Sequence, residues 1–152
     1  AVMAAVRCGR GGAWNIVDDD VPGAASPAPD RCHDRARRIV KPGQVFNRIH
    51  VDDAAAAVMA AVRCGRGGAW NIVDDEPAPP QDVIAYAAQL MGVAPPPELA
   101  LDSAELSPMA RSFYASNRRI RNIRAKLELG LVFTYPTYRA GLDALWAAGE
   151  GR

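Results

Sequence analysis

The sequence predicts an α/β chain, rich in helices and carrying only a small, incomplete sheet. Three observations lead there. Apolar residues recur at helical spacing in several stretches, most of them closed by a glycine or opened by a proline. Short apolar runs of strand length flank the most alanine-rich of these stretches. The chain has 152 residues and is 49% apolar, much of it alanine, which fits one domain with a thin core.

The chain opens on a copy. Ala1–Asp19, AVMAAVRCGRGGAWNIVDD, is identical to Ala57–Asp75 at all 19 positions. Structural repeats keep their core and turn residues and let the surface drift. Complete identity therefore marks a recent duplication or a sequence-assembly error rather than a functional tandem array. The copy also starts inside a helix, without the aspartates that precede its twin. Residues 20–36, with Pro22, Gly23, Pro27 and Pro29, read as a linker. Residues 37–152 read as one unit, entered through RIVKPG with Pro42-Gly43 as a turn.

The stretch Gln44–Glu76 organises that unit as strand, helix, turn and strand. Val45, Phe46, Ile49 and Val51 surround Asn47, Arg48 and His50, which suits a half-buried strand. Asp52 or Asp53 then caps a helix, because a short carboxylate accepts the free N–H groups at the positive end of the dipole. The helix body is alanine with Val58, Met59 and Val62, a composition that favours helix and permits close packing. Arg63 and Arg66 flank its end, and Gly65, Gly67 and Gly68 stop it. Ala69–Val73 follows as a second strand, ended by Asp74-Asp75-Glu76-Pro77.

Further on, Pro77–Pro80 leads stiffly into a helix at about Gln81–Met91. Val83, Ile84, Ala87, Ala88 and Met91 form its apolar stripe, and Gly92 stops it. Pro95-Pro96-Pro97 keeps the chain extended, and Pro108–Tyr114 is a short helix. Ser116-Asn117 caps the next, in which Ile120, Ile123, Ala125 and Leu127 make an apolar strip while Arg118, Arg119, Arg121 and Arg124 face elsewhere. Gly130 ends it. Pro136 opens the last helix, Thr137–Ala148, with Leu142, Leu145 and Trp146 turned to the core.

Composition narrows the function classes. A net charge of +1 supplies no strong field for nucleic acid or a membrane surface. No run of 18 apolar residues is present, and no signal peptide is expected, since Ala1–Val6 is too short and lacks a cationic start. The three cysteines, Cys8, Cys32 and Cys64, lack paired spacing, which favours reduced thiols, a cytoplasmic setting and no metal site.

RIHVDD before an alanine-rich helix, then WNIVDDEP, resembles the C-terminal half of extended short-chain dehydrogenase/reductases, the NAD-dependent epimerase/dehydratase family. Pro79–Gly92, Ala115–Phe133 (ASNRRIRNIRAKLELGLVF) and Tyr135–Trp146 (YPTYRAGLDALW) continue the likeness in the family's order. The resemblance covers roughly residue 37 to the end and implies a partial Rossmann-like unit on the substrate side of such an enzyme. It implies NAD or NADP as cofactor and a small-molecule substrate, nucleotide-linked or carbohydrate-like. Two family features are missing. No glycine-rich turn runs from a strand into a helix, since Gly9–Gly12 and Gly65–Gly68 lie in the reverse order. No Tyr-x-x-x-Lys pair occurs, the only lysines being Lys41 and Lys126. No catalytic or cofactor-binding residue is therefore assigned, the nucleotide-binding half is expected to be absent, and the chain alone is expected to be inactive. The competing class is a non-enzymatic remnant or interaction module that self-associates through an exposed edge at Ala69–Val73.

The resemblance also marks substrate contacts. Arg48 is a candidate for an anionic group, although the family's usual arginine comes two residues earlier, at Phe46. His50 lies on the same strand face. Arg118 and Arg119 match a segment near the family's substrate cleft. Each competes with a plainer role: a salt bridge for Arg48, a hydrogen-bonded strand ring for His50, a solvated helix face for the arginines. An RNA-binding face at Arg118–Arg124 lacks interleaved aromatics.

Overall fold

The computed structural model describes residues 37–65 and 67–149. The copied segment, the linker and the pairing of Ala13–Val17 with Ala69–Val73 that the copy suggests lie outside the described residues. The order is β1 (Arg38–Val40), α1 (Val51–Cys64), α2 (Pro80–Leu90), β2 (Glu98–Ala100), a 3-10 turn (Leu101–Ser103), α3 (Pro108–Phe113), α4 (Ile123–Leu129) and α5 (Tyr138–Ala147). The fold is α/β and helix-rich, and its small sheet is consistent with a partial Rossmann-like unit.

That sheet is not where the sequence placed it. It has two parallel strands, with Arg38 opposite Glu98, Ile39 opposite Leu99 and Val40 opposite Ala100. Parallel pairing needs a long crossover, and α1 and α2 both lie in it. The Arg38 guanidinium fixes the register, donating through Nε to the Pro96 carbonyl at 2.7 Å and pairing with Glu98 at 3.2 Å. The expected turn at Pro42-Gly43 forms. Gln44 N–H donates to the Lys41 carbonyl, with Gly43 at φ 73°, the glycine position of a type II turn.

Neither Val45–Val51 nor Ala69–Val73 is a strand. The two segments are joined where Asp74 N–H donates to the Arg48 carbonyl at 2.6 Å, and the one ladder contact nearby is a bridge between Phe46 and Ala78. The reason lies in where the backbone bonds go. Asn117 Oδ1 takes the Val45 N–H and Asn47 Oδ1 takes the Ile120 N–H, while Asn47 Nδ2 donates to the Arg118 carbonyl. Arg48 Nη1 fills both the Phe46 and the Ala78 carbonyls. Side chains thus replace a neighbouring strand, and among the described residues the sheet edge expected at Ala69–Val73 is not formed.

Two small cores result. Val83, Ile84, Ala87 and Ala88 of α2 pack on Tyr138 and Leu142 of α5, with Leu145 and Trp146 partly buried beside them. Ile39 packs with Ala104 and Tyr114 under Phe46 and Leu99. The α2 stripe and the inward face of α5 fall as the periodicity predicts. The α4 region does not: the helix begins at Ile123, not after Ser116-Asn117, and Asn117 is spent on Val45 N–H and the Gly43 carbonyl. Of its expected strip only Ala125 is buried, with Ile123 and Leu127 mostly exposed.

The N-terminus of α1 also corrects the sequence reading. Neither aspartate is the cap. His50 is, its Nδ1 accepting the Asp52 N–H at 3.3 Å. Asp53 points inward, 2% exposed, and its two oxygens accept the Thr134 and Tyr135 N–H groups at 2.8 Å each. Gly65 closes the helix in the left-handed conformation, as expected.

Candidate functional site

Arg48, His50 and Asp74 meet at a cavity of about 270 Å³. Their convergence follows from the chain path just described. The Arg48–His50 segment runs into α1, the Arg48 carbonyl holds Asp74, and Thr137, Tyr138 and Gly141 at the α5 start complete the lining. Val83 of α2 and Leu142 and Leu145 of α5 form the apolar wall. The lining is thus mostly hydrocarbon with four titratable side chains, Arg48, His50, Asp74 and Tyr138, the usual composition of a small-molecule site.

The Arg48 guanidinium is the least comfortable of the three. Nη1 donates to the Phe46 and Ala78 carbonyls at 3.0 Å each, but among the described residues the buried Nε has no partner and no carboxylate lies in ion-pair range. Burial pulls its pKa below the ordinary arginine value, with the nearby Asp74 charge working the other way. Asp74 is 4% exposed, and burial pushes its carboxyl up to about 6 despite a bond from Glu76 N–H and the charge of Arg48. The site therefore buries a cation whose nearest counter-charge is itself reluctant to ionise.

His50 is held on three sides. Its ring stacks on Tyr135 with centroids 3.9 Å apart. Gly141 backs it so closely that a Cβ there would come within 3.2 Å of His50 Cδ2. Nδ1 accepts the Asp52 N–H, while the Asp52 carboxylate oxygen stands 3.6 Å away, outside hydrogen-bond range. With Nδ1 accepting, a neutral His50 ring carries its proton on Nε2. That Nε2 is buried and has no partner.

Of the four candidate substrate contacts, Arg48 and His50 share the cavity. Arg118 and Arg119 do not line it; both are exposed, and the Arg118 carbonyl serves as an anchor for Asn47. Asp74, Tyr138 and Gly141 escaped the sequence reading as site residues. For Asp74 the signal was there, a carboxylate directly after an apolar run facing an arginine, but it reads equally as a strand ending. Gly141 carried none, since a glycine inside a helix shows its purpose only once the His50 ring lies against it.

Gly65 and Gly68 do not form a pyrophosphate cradle. Gly65 is a helix C-cap, and a Cβ on Gly68 would come within 2.9 Å of the Trp70 ring, so that glycine makes room for an indole rather than a pyrophosphate. No group of histidine, cysteine or carboxylate side chains among the described residues could hold a metal ion, and no described helix is long and apolar enough to cross a membrane.

Comparison with known proteins adds one functional pointer. No protein-family model matches the chain. The 3-diazoavenalumate denitrifying reductase of a Streptomyces species is 35% identical over 103 residues, 64% of this chain and 33% of that protein. This chain resembles part of a reductase. A solved structure described as a functionally unknown conserved protein from Silicibacter pomeroyi DSS is 57% identical with a TM-score of 0.72, covering 75% of this chain and 42% of that one. The chain thus spans about a third of the reductase and under half of the solved relative.

Proposed function

We propose that this chain forms the substrate side of an NAD(P)H-dependent reductase similar to extended short-chain dehydrogenase/reductases, with Arg48 and His50 contacting substrate. The observation that carries the reading is the cavity where those two residues meet an apolar wall, in a chain 35% identical over 103 residues to a protein named as a reductase. Its parts divide the labour. Arg48 supplies positive charge, His50 an imidazole ring held in place, and Val83, Leu142 and Leu145 a surface for the body of the substrate. The dinucleotide is held by residues other than those described. No specific observation favours a non-enzymatic interaction module.

A chimera tests the proposal. Residues 37–149 of this chain replace the matching segment of the Streptomyces reductase, folding is checked by circular dichroism, and NAD(P)H oxidation is followed with that enzyme's own substrate. A folded chimera that oxidises NAD(P)H, and loses the activity on Arg48→Gln, is the expected result. A folded chimera with no turnover contradicts the reading.

A further inference from the structure

Resting on the reading of this chain as one side of a longer reductase, we infer that the outward face of α1 is a docking seat. Its occupant is the portion of chain that the longer relatives carry outside the match, and that portion borders the Arg48–His50 cavity. Residues 54–62, AAAAVMAAV, contain no polar side chain. A helix facing water carries charge on its outer side, whereas one that is apolar all round is built to be buried. The inner side of α1 is covered, with Ala57 and Asp53 both buried. The outer side is not: Val51, Val58, Met59 and Val62 are each more than half exposed, and Ala55 among them is exposed too. Val51, Ala55, Val58 and Val62 follow the spacing i, i+4, i+7, i+11, so they form one continuous stripe rather than scattered apolar residues. On that side charge stands only at the two ends, on Asp52 and Arg63.

The size of the relatives points to what covers the stripe. The solved relative is 57% identical with a TM-score of 0.72, yet more than half of its chain lies outside the match. Two thirds of the Streptomyces reductase does so too. That chain needs an apolar face to pack on, and the outer side of α1 offers one. The stripe runs about 17 Å from Val51 to Val62, at about 1.5 Å per residue, on a helix about 10 Å across. A standard interface between separate proteins buries about 800 Å² per partner, far more than such a strip supplies, which disfavours a second copy of this chain. A segment tethered in the same polypeptide pays little association cost, so a small face suffices. Val51 belongs to both the stripe and the lining of the cavity, so the portion seated on the stripe stands beside the cavity. A substrate there would lie at the boundary of the two portions.

Thermal melting of the paired change Val58→Ser and Val62→Ser, followed by circular dichroism in three settings, tests this. In the full 152-residue chain the midpoint is expected to move by about 2 °C or less, because both side chains already face water. In the chimera with the Streptomyces reductase the midpoint falls by about 6 °C or more, since both side chains are buried there. The full-length Silicibacter pomeroyi protein, with serine at its two matching positions, behaves as the chimera does. Should the chimera fail to fold, that protein decides. An unmoved midpoint in a folded chimera or in the solved relative overturns the proposal, and so do matching positions that are already polar. An equal fall in the 152-residue chain overturns it too, and sedimentation of a dimer that the substitutions dissociate would name a second copy as the occupant. NAD(P)H takes no part in these melts. A fallen midpoint in a chimera without turnover would defeat the reductase reading alone, and turnover beside an unmoved midpoint would defeat the seat alone.

Discussion

Helices α1 and α2 look alike in sequence and are held by opposite means. Both are rich in alanine, and both carry an apolar stripe at helical spacing. In α2 that stripe is buried: Val83, Ile84, Ala87 and Ala88 are at most 3% exposed, locked against Tyr138 and Leu142 of α5. In α1 the bulky apolar residues point outward, with Val51 71%, Val58 62% and Val62 70% exposed. Its inward face is Ala57 and a carboxylate, Asp53. Hydrophobic burial positions α2, and two backbone N–H groups offered to one aspartate position α1. The cavity lies where these regimes meet, with Val51 at the start of α1 and Val83 of α2 both in its lining.

The contrast breaks most visibly at Ile84. Ile84→Ala removes a side chain 3% exposed from the α2–α5 core and is expected to cost about 3 kcal/mol in urea unfolding, the range for large-to-small changes in a packed core. Asp53→Asn comes next. Its amide nitrogen must face an N–H donor that the carboxylate accepted, either at Thr134 or at Tyr135, and the expected loss is about 2 kcal/mol by the same measurement.

Asp74 gives a smaller, pH-dependent effect at the junction of the two regions. Its folded pKa of about 6 stands above the ordinary 3.8, so the folded state binds the proton more tightly than the unfolded chain. That contribution is complete below the ordinary value and is lost as pH rises through 6. Allowing for solvent screening, the stability lost is about 1 kcal/mol, and Asp74→Asn is expected to remove that part of the pH dependence of the denaturation midpoint. The smallest effect is at Val62, where Val62→Ser changes stability by about 0.5 kcal/mol or less, since that side chain is already 70% exposed. A loss at Val62 comparable to that at Ile84 would show that the outward stripe of α1 is covered in solution.

The same contrast explains what the sequence could and could not reveal. Periodicity located α2 and α5 to within a residue or two because burial decides both, and Gly65, Gly92 and Gly130 marked the ends of α1, α2 and α4 by adopting positive φ. It failed at Val45–Val51, where an apolar pattern fit for a strand is tied by Asn47, Arg48 and Asn117 side chains, and no periodicity encodes that. It missed β2, three residues after a proline run. At the site, Arg48 and His50 could be named from the likeness of RIHVDD to a known family element. Asp53 was assigned to capping because a carboxylate at a helix start ordinarily caps. Its true partners, Thr134 and Tyr135, lie 81 and 82 residues away, beyond any local reading.

The account rests on His50 capping α1, its Nδ1 accepting the Asp52 N–H. Long-range nitrogen–proton NMR correlation on a uniformly ¹⁵N-labelled chain reads that directly. The neutral His50 ring is predicted to show Nδ1 unprotonated and Nε2 protonated. A neutral ring with its proton on Nδ1 would contradict it.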